Sequence, residues 1–133
     1  MTLLLLDTTF LIDAERSGSG LDAAIGDDDD VAVAAITIAE LLVGVELAAK
    51  QHKAARHDFV EAIAGNIPVL AYDLAIAREH AALLGIVRQQ GRPRGAHDLI
   101  IAATARATQR TVVSADRRAF ADLPGVQELD HRS

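Results

Sequence analysis

Hydrophobic residues in this chain fall into short, almost unbroken runs and into longer segments with helical spacing. The short runs have the length and aliphatic composition of strands that are buried on both faces, as in a parallel sheet. They are residues 3–6, 31–36, 66–71 and 111–114, with residues 126–129 as a weaker edge strand. The pattern therefore predicts a sheet made mainly of buried parallel strands.

Between these runs, apolar residues recur every three or four positions, which is the spacing of one helix face. The predicted helices cover residues 8–13, 21–25, 37–47, 59–63, 73–90 and 98–105, with Thr37 and Asp73 as N-caps, and residues 115–120 are predicted to form a turn or a short helix. Alternating strands and helices predict an α/β fold whose parallel sheet is covered by helices on both faces. We find no linker or internal repeat, so residues 1–133 are predicted to form a single domain.

Composition changes this picture in three ways. Half of the residues are hydrophobic but only 3% are aromatic, so the core is expected to consist of Leu, Ile, Val and Ala. The chain has no cysteine, which excludes disulfides and thiolate zinc sites. A net charge of −6 argues against a simple basic nucleic-acid binder.

The apolar run Leu3–Leu6 is too short for a membrane span or signal peptide, so a cytoplasmic location is expected.

Four acids follow or adjoin the predicted strands, and we call them the acidic cluster: Asp7, Glu40, Asp98 and Asp116. In an open α/β sheet, ligands bind outside the carboxyl ends of the strands, so acids that are distant in sequence can meet there. Neighbouring carboxylates repel each other unless a cation compensates. Mg²⁺ and Mn²⁺ prefer such oxygen ligands. The sequence therefore predicts a divalent metal site and phosphodiester chemistry.

Each of these acids also has a structural interpretation. Glu40 completes a capping-box pattern with Thr37. Asp98 and Asp116 lie at predicted helix starts, where the helix dipole favours a carboxylate. Asp7 is harder to explain in this way, because an unpaired charge beside a buried strand is unfavourable. The alternative function is a non-catalytic α/β binding module that acts through its protein partner.

Other polar residues carry weaker signals. The acidic run Asp27–Asp30 is expected to form a solvated turn, and His97 is expected to have a loop role rather than an acid/base role. The sequence also offers weak candidates for contact with a nucleic-acid backbone, although each is better explained as a solubilising surface charge. These candidates are Arg78, Arg92 and Arg94.

Segments 6–13, 37–45, 96–105 and 112–120, in this order and spacing, resemble the motifs of the PIN-domain ribonucleases. The resemblance is specifically to VapC-type toxins of toxin–antitoxin pairs, and it covers nearly the whole chain. It implies a three-layer α/β/α PIN-like domain with a central parallel sheet. It also implies that the acidic cluster holds Mg²⁺ or Mn²⁺ and that the substrate is structured RNA, such as transfer or ribosomal RNA.

The resemblance extends to roles and partners. Asp7 and Asp98 are expected to be the inner ligands of the first cation, with the other two acids completing the shell and Ser114 hydrogen-bonding nearby. The expected partners are a cognate VapB-type antitoxin and a second copy of the chain in a homodimer. The family often has threonine at the position of Ser114 and an acid at that of Ala119. The second departure predicts weaker metal affinity at the outer site.

Overall fold

The fold is built around a sheet of five strands that all run parallel. The strands are β1 (Leu3–Leu6), β2 (Asp30–Ala34), β3 (Val69–Leu70), β4 (Thr111–Ser114) and β5 (Glu128–Asp130). The computed structural model describes residues 1–18, 26–116 and 118–130. Within the sheet the order is β3-β2-β1-β4-β5, so β1 lies at the centre and β3 and β5 form the edges.

Five helices connect the described strands: α1 (Thr8–Ser17), α2 (Ala35–Glu46), α3 (Lys50–Asn66), α4 (Leu74–Gln90) and α5 (Ala96–Thr108). Each crossover returns the chain to the same end of the sheet, as parallel strands require. Among the described residues, no helix is both long and apolar enough to cross a membrane.

Side chains alternate across the central strand and thereby divide the core into two halves. Leu5 of β1 points to the face covered by α4 and α5, where it joins Leu83 and Ile101. Leu4 and Leu6 point to the opposite face, which is covered by α1, α2 and α3. The fold is therefore a three-layer α/β/α domain, as predicted from the sequence.

Aspartates and glycines define the ends of two helices. Asp7 and Asp73 precede α1 and α4, and each carboxylate accepts a hydrogen bond from the backbone amide three residues later, at 2.8 and 2.9 Å. Gly18 and Gly91 follow these helices with φ of 66° and 65°, a left-handed conformation that glycine adopts without steric penalty. The predicted cap and length of α4 are confirmed.

Several predicted boundaries are corrected by the structure. The strand predicted at residues 66–71 contains only Val69–Leu70, because it is the last strand at one edge of the sheet and pairs on one side. The final strand begins at Glu128 rather than at residue 126. The small helix predicted at residues 21–25 lies outside the described residues.

The prediction that Thr37 caps α2 is wrong. Strand β2 ends at Ala34 and the helix begins at the next residue, so Ala34 is the N-cap and Thr37 lies inside the first turn. The hydroxyl of Thr37 is fully buried and lies 3.5 Å from that of Thr8. Because the helix begins earlier than predicted, Glu40 lies in the second turn and the capping-box interpretation of this residue fails.

A partly buried arginine holds the amino ends of the strands, which we call the amino edge. Arg110, just before β4, lies 2.8 Å from the carboxylate of Asp30 and donates to the carbonyl groups of Leu4 and Asp30 at 3.1 and 2.9 Å. Asp30 is therefore the first residue of β2 and an ion-pair partner, and not only part of a solvated turn. Asp29 does form the expected turn, because its side chain accepts from the amide of Gly26 at 2.7 Å.

Candidate active site

The opposite ends of the strands, which we call the carboxyl edge, bring the acidic cluster together. Asp7 follows directly after β1 and its residue is only 2% exposed. Burial raises the pKa of Asp7, while hydrogen bonds from Ser114, the Phe10 amide and Thr9 lower it. The nearby charge of Asp116 raises the pKa further. Asp7 thus lies at the centre of the sheet with its charge only partly compensated.

Two hydroxyl groups fix the carboxylate of Asp7 and link β1 to β4. Ser114 donates to Asp7 Oδ2 at 2.6 Å, and Thr9 donates to both carboxylate oxygens at 2.9 and 3.0 Å. The Thr9 hydroxyl also accepts from the amide of Ala115 at 3.1 Å, and the Ser114 hydroxyl accepts from the amide of Asp116 at 2.9 Å. The predicted hydrogen-bonding position of Ser114 agrees with this geometry, whereas Thr9 was not singled out by the sequence.

Glu40 reaches the site from the second turn of α2. Its Oε1 accepts from the hydroxyl of Thr8 at 2.8 Å, and its Oε2 lies 3.2 Å from Nδ1 of His97. The side chains of Glu40 and His97 are 26% and 54% exposed, so this pair faces solvent more than Asp7 does. Sequence reasoning gave His97 only a loop role. The signal that could have identified it is its position beside Asp98, in the first turn of α5.

Asp98 carries the strongest electrostatic sign that the acids have converged. Its pKa is raised from 3.8 to about 6, first by burial and then by repulsion from Glu40, Asp7 and Asp116. His97 acts in the opposite direction. Every other member of the acidic cluster therefore acts on Asp98, although the members are far apart in sequence.

Asp116 lies in a turn after β4 and not at the start of a helix, so the predicted helix-start role is wrong. The residue is exposed, and its Oδ1 accepts from the backbone amide of Arg118 at 2.9 Å. Between β4 and β5, the described residues form turns and contain no regular helix. Asp116 is thus the outermost member of the acidic cluster.

The side chains as they stand do not form a ready metal cage. Within the described ranges, no three His, Asp or Glu side chains are arranged so that they could hold a metal ion. Glu40 is turned towards Thr8 and His97, and Asp116 towards the amide of Arg118. The chemistry of the site nevertheless fits a hard divalent cation, because its charged groups are carboxylates whose repulsion a cation would relieve.

The arginine candidates have different environments. Arg94 donates to the backbone carbonyls of Arg118, Ala119 and Ala121, so its guanidinium is engaged within the protein. Arg78 and Arg92 are exposed. Sequence reasoning missed Arg16, which lines a cavity of about 320 Å³ beside the acidic cluster. That cavity is lined by Thr9, Ile12, Asp13, Arg16, Ala115 and Asp116.

Comparisons with known proteins agree with this architecture. A family model described as PIN domain matches residues 4–126. Ribonuclease VapC of Rickettsia bellii is 25% identical over 127 residues, which cover 95% of this chain and 94% of the relative. The tRNA(fMet)-specific endonuclease VapC of Shigella flexneri is 30% identical over 99 residues, covering 74% and 73% of the two chains.

A solved structure gives the same result in three dimensions. The crystal structure of VapBC-5, a member of the VapBC family of toxin–antitoxin systems from Mycobacterium tuberculosis, superposes with a TM-score of 0.79 at 32% identity. The alignment covers 97% of this chain and 98% of that one. Fold and site thus define an α/β/α domain with acids at the carboxyl edge of a parallel sheet. The chain belongs to the PIN domain family, and to the VapC group within it.

Proposed function

We propose that this protein is a metal-dependent endoribonuclease that serves as the toxin of a toxin–antitoxin pair. The observation that carries this proposal is the convergence of the acidic cluster on Asp98, whose pKa is raised to about 6 by burial and by three neighbouring carboxylates. Such a concentration of unpaired negative charge is unfavourable without a cation. The VapC relatives named above are ribonucleases, which supports RNA as the substrate.

The residues of the cluster take different parts in the proposed reaction. Asp7 and Asp98 would hold Mg²⁺ or Mn²⁺ directly, since both have raised pKa values and lie beside the central strands. Glu40 and Asp116 would complete the site after turning away from their present hydrogen-bond partners. When bound, the divalent cation supplies positive charge against the phosphate and makes water more acidic.

The protein's own groups then determine orientation and proton transfer. Ser114 and Thr9 hold both oxygens of the Asp7 carboxylate, which limits its rotation towards the cation. Glu40, whose Oε2 now lies beside His97, would accept a proton from water that approaches the phosphate. Removal of a hydroxyl would therefore loosen the site, whereas removal of an acid would abolish it.

The substrate is proposed to be structured RNA, such as transfer or ribosomal RNA. The name of the Shigella flexneri relative specifies a transfer RNA, which supports this class. The chain has a net charge of −6, so positive charge for the RNA backbone has to come from the cation and from local arginines. Arg16 beside the acidic cluster, and exposed Arg78 and Arg92, are the candidates. With this substrate, the location that we propose for the protein is the cytoplasm.

The direct test is cleavage of RNA by the purified protein. Wild type should cut RNA in Mn²⁺ or Mg²⁺ and not in EDTA, and Asp98→Asn should be inactive while keeping its fold. Sequencing the RNA ends after induction in cells, beside the same variant, would identify the substrate. A protein that folds, binds a partner and shows no cleavage with either metal would favour the non-catalytic binding module instead.

We also propose that a small antitoxin binds this chain and blocks the acidic cluster. The VapBC-5 structure is that of a toxin–antitoxin family member, which supports such a partner. Val43 of α2 and Leu47, the residue that caps the end of this helix, are 55% and 81% exposed and lie four positions apart. An antitoxin helix packed on them could direct an arginine at Glu40 and replace the cation by a bidentate ion pair. Leu41 and Val45 of the same helix are buried in the core and are not available.

We expect the antitoxin to be encoded by a small gene beside that of this chain, and co-expression of the two genes tests this partner. Growth should be restored and a stable complex without nuclease activity should be recovered. Val43→Asp and Leu47→Asp should weaken the complex and leave RNA cleavage by the free protein unchanged, because both side chains lie outside the acidic cluster. Toxicity that persists with the partner present, together with no complex, would refute the toxin role but not the nuclease activity.

A homodimer completes the proposal. The short connection around β3 exposes three apolar side chains, Val69, Tyr72 and Leu74, at 41%, 49% and 66%. Of these, Tyr72 lines an apolar cavity of about 570 Å³ formed by α2, α4, α5 and the edge of the sheet. Grouped exposed apolar residues mark association surfaces. Sedimentation should show a dimer that Tyr72→Asp converts to a monomer, whereas a wild-type monomer at all concentrations would refute this assembly.

A further inference from the structure

Arg94 connects the two backbone segments that carry the outer and inner acids of the site. It lies in the loop between α4 and α5, one residue before Gly95, the N-cap of α5. Its guanidinium donates to the carbonyls of Arg118 and Ala119 at 3.3 and 3.2 Å, and to that of Ala121. One side chain thus binds three backbone carbonyls in the turn that follows β4.

On one side, this contact continues to Asp116. The carbonyl of Arg118 accepts from Arg94, and the amide of Arg118 donates to Asp116 Oδ1 at 2.9 Å. The position of the Asp116 carboxylate is therefore set by a turn that Arg94 holds in place. The side chains of Ala119 and Phe120 in this turn are buried in the core, whereas Asp116 and Arg118 are exposed and are held by hydrogen bonds.

On the other side, the contact continues to Asp98. A methyl group on Gly95 would lie 3.0 Å from Asp98 Oδ2, so this carboxylate packs directly against the N-cap next to Arg94. Arg94 is 24 to 27 residues away in sequence from the carbonyls that it binds, and it joins the start of α5 to the turn after β4 at the carboxyl edge.

We infer that Arg94 is a positioning residue that fixes the separation of Asp98 and Asp116, and not a residue that contacts RNA. This inference rests on the proposed metal site and deepens it. The planar guanidinium suits the role because its donors can reach several carbonyls at once, whereas lysine offers a point charge on a flexible stem. The arrangement also explains why Arg94 is less exposed than its neighbour Arg92.

The test compares Arg94→Lys and Arg94→Ala with Arg106→Ala. Arg106 is the matched control, because it also donates to a loop carbonyl, that of Pro124 at 3.1 Å, and pairs with Glu79 at 2.9 Å. It lies in the last turn of α5, at the end of that helix away from Asp98. Loss of Arg106 should lower the melting temperature without changing the site.

Calorimetry with Mn²⁺ and the free protein is the first readout. Both Arg94 variants should bind Mn²⁺ roughly 10-fold more weakly than wild type, as expected when a residue that orients metal ligands is lost. Arg106→Ala should bind Mn²⁺ as wild type does. The KM of both Arg94 variants for RNA should equal that of wild type. If Arg94→Lys binds Mn²⁺ with wild-type affinity, the inference is overturned.

Hydrogen exchange and salt dependence give two further readouts. Without any metal, the amide of Arg118 should exchange faster in both Arg94 variants and not in Arg106→Ala; unchanged exchange would overturn the inference. If Arg94 instead contacted a phosphate, Arg94→Ala would raise the KM for RNA and reduce the salt slope of binding by about one, and lysine would restore both. That result would also overturn the inference. A wild-type protein that binds no Mn²⁺ refutes the metal site itself, and hydrogen exchange then decides separately whether Arg94 holds the turn.

Discussion

The two edges of the central sheet handle charge in opposite ways. At the amino edge, Asp30 is paired with Arg110 at 2.8 Å, and the same guanidinium binds two strand carbonyls. At the carboxyl edge, no member of the acidic cluster is paired with lysine or arginine in the part of the chain that the structure describes. At the amino edge, where the ion pair only joins strands, the charge of the acid is compensated. At the carboxyl edge, where we propose that the cation binds, the negative charge of the acidic cluster has no such partner among the described residues.

Both edges tolerate buried polar groups because most of these groups have hydrogen-bond or ion-pair partners. The Arg110 side chain is 13% exposed, and its Nε is the one buried side-chain polar atom among the described residues without a hydrogen-bond partner. Its other nitrogens carry the compensating contacts. At the carboxyl edge, hydroxyls and amides hold Asp7 but cannot neutralise its charge. A bound cation would relieve the repulsion that remains among the carboxylates.

The largest expected effect comes from Asp7→Asn at the carboxyl edge. RNA cleavage should be abolished, while the fold is kept because asparagine is an equally good N-cap for α1. In wild type, Mn²⁺ at about 100 times its Kd should stabilise the protein by about 2.7 kcal/mol, seen as a higher melting temperature. The variant should lose most of this increase. Equal melting temperatures of wild type in EDTA and in Mn²⁺ would contradict the metal site.

Glu40→Gln should have the next largest effect. Because α2 is capped at Ala34, Glu40 has no role in starting the helix, and the variant should keep the wild-type melting temperature in EDTA. Glutamine can still accept from Thr8, but it carries no charge for a cation, so cleavage should fall by at least about 10-fold. Kinetics with saturating RNA measure this fall. Full activity in the variant would assign Glu40 to structure alone.

At the amino edge, Asp30→Asn should affect stability and nothing else. The change removes the charged partner of a mostly buried guanidinium, although the carbonyl of residue 30 can still accept from Arg110. Because Asp30 is 44% exposed, the free energy of unfolding should fall by only about 1–2 kcal/mol. Urea unfolding measures it. A change in Mn²⁺ affinity or RNA cleavage would show that the two edges are coupled.

The last expected effect is a pH dependence that belongs to the carboxyl edge. In the folded protein the pKa of Asp98 is raised from 3.8 to about 6, so between these values the folded state binds more protons than the unfolded state. The stability of the metal-free protein should therefore fall as pH rises through this window and level off above it. In Asp98→Asn, the free energy of unfolding, measured with urea, should fall less over the same rise in pH. Identical pH profiles for wild type and variant would contradict the charge repulsion at Asp98.

Much of the fold was predictable because its signals are local. The aliphatic runs gave β1 and β4 their bounds, and Asp73 and Gly91 marked both ends of α4. Edge elements were predicted less well, because the length of β3 depends on pairing with β2 and not on its own composition. The start of α2 was misplaced because Ala34 carries no capping side chain, and the Thr37 pattern offered a false signal.

By itself, the sequence determined the α/β/α class, the family and which acids belong to the acidic cluster, since strand ends and residue types can be read along the chain. Only the tertiary structure decided how those acids are held. Thr9 and Ser114 meet at Asp7 because β1 and β4 are neighbours in the sheet, and His97 meets Glu40 because α5 begins beside α2. The role of Arg94 also depends on a contact between distant segments, and such contacts leave no local pattern in the sequence.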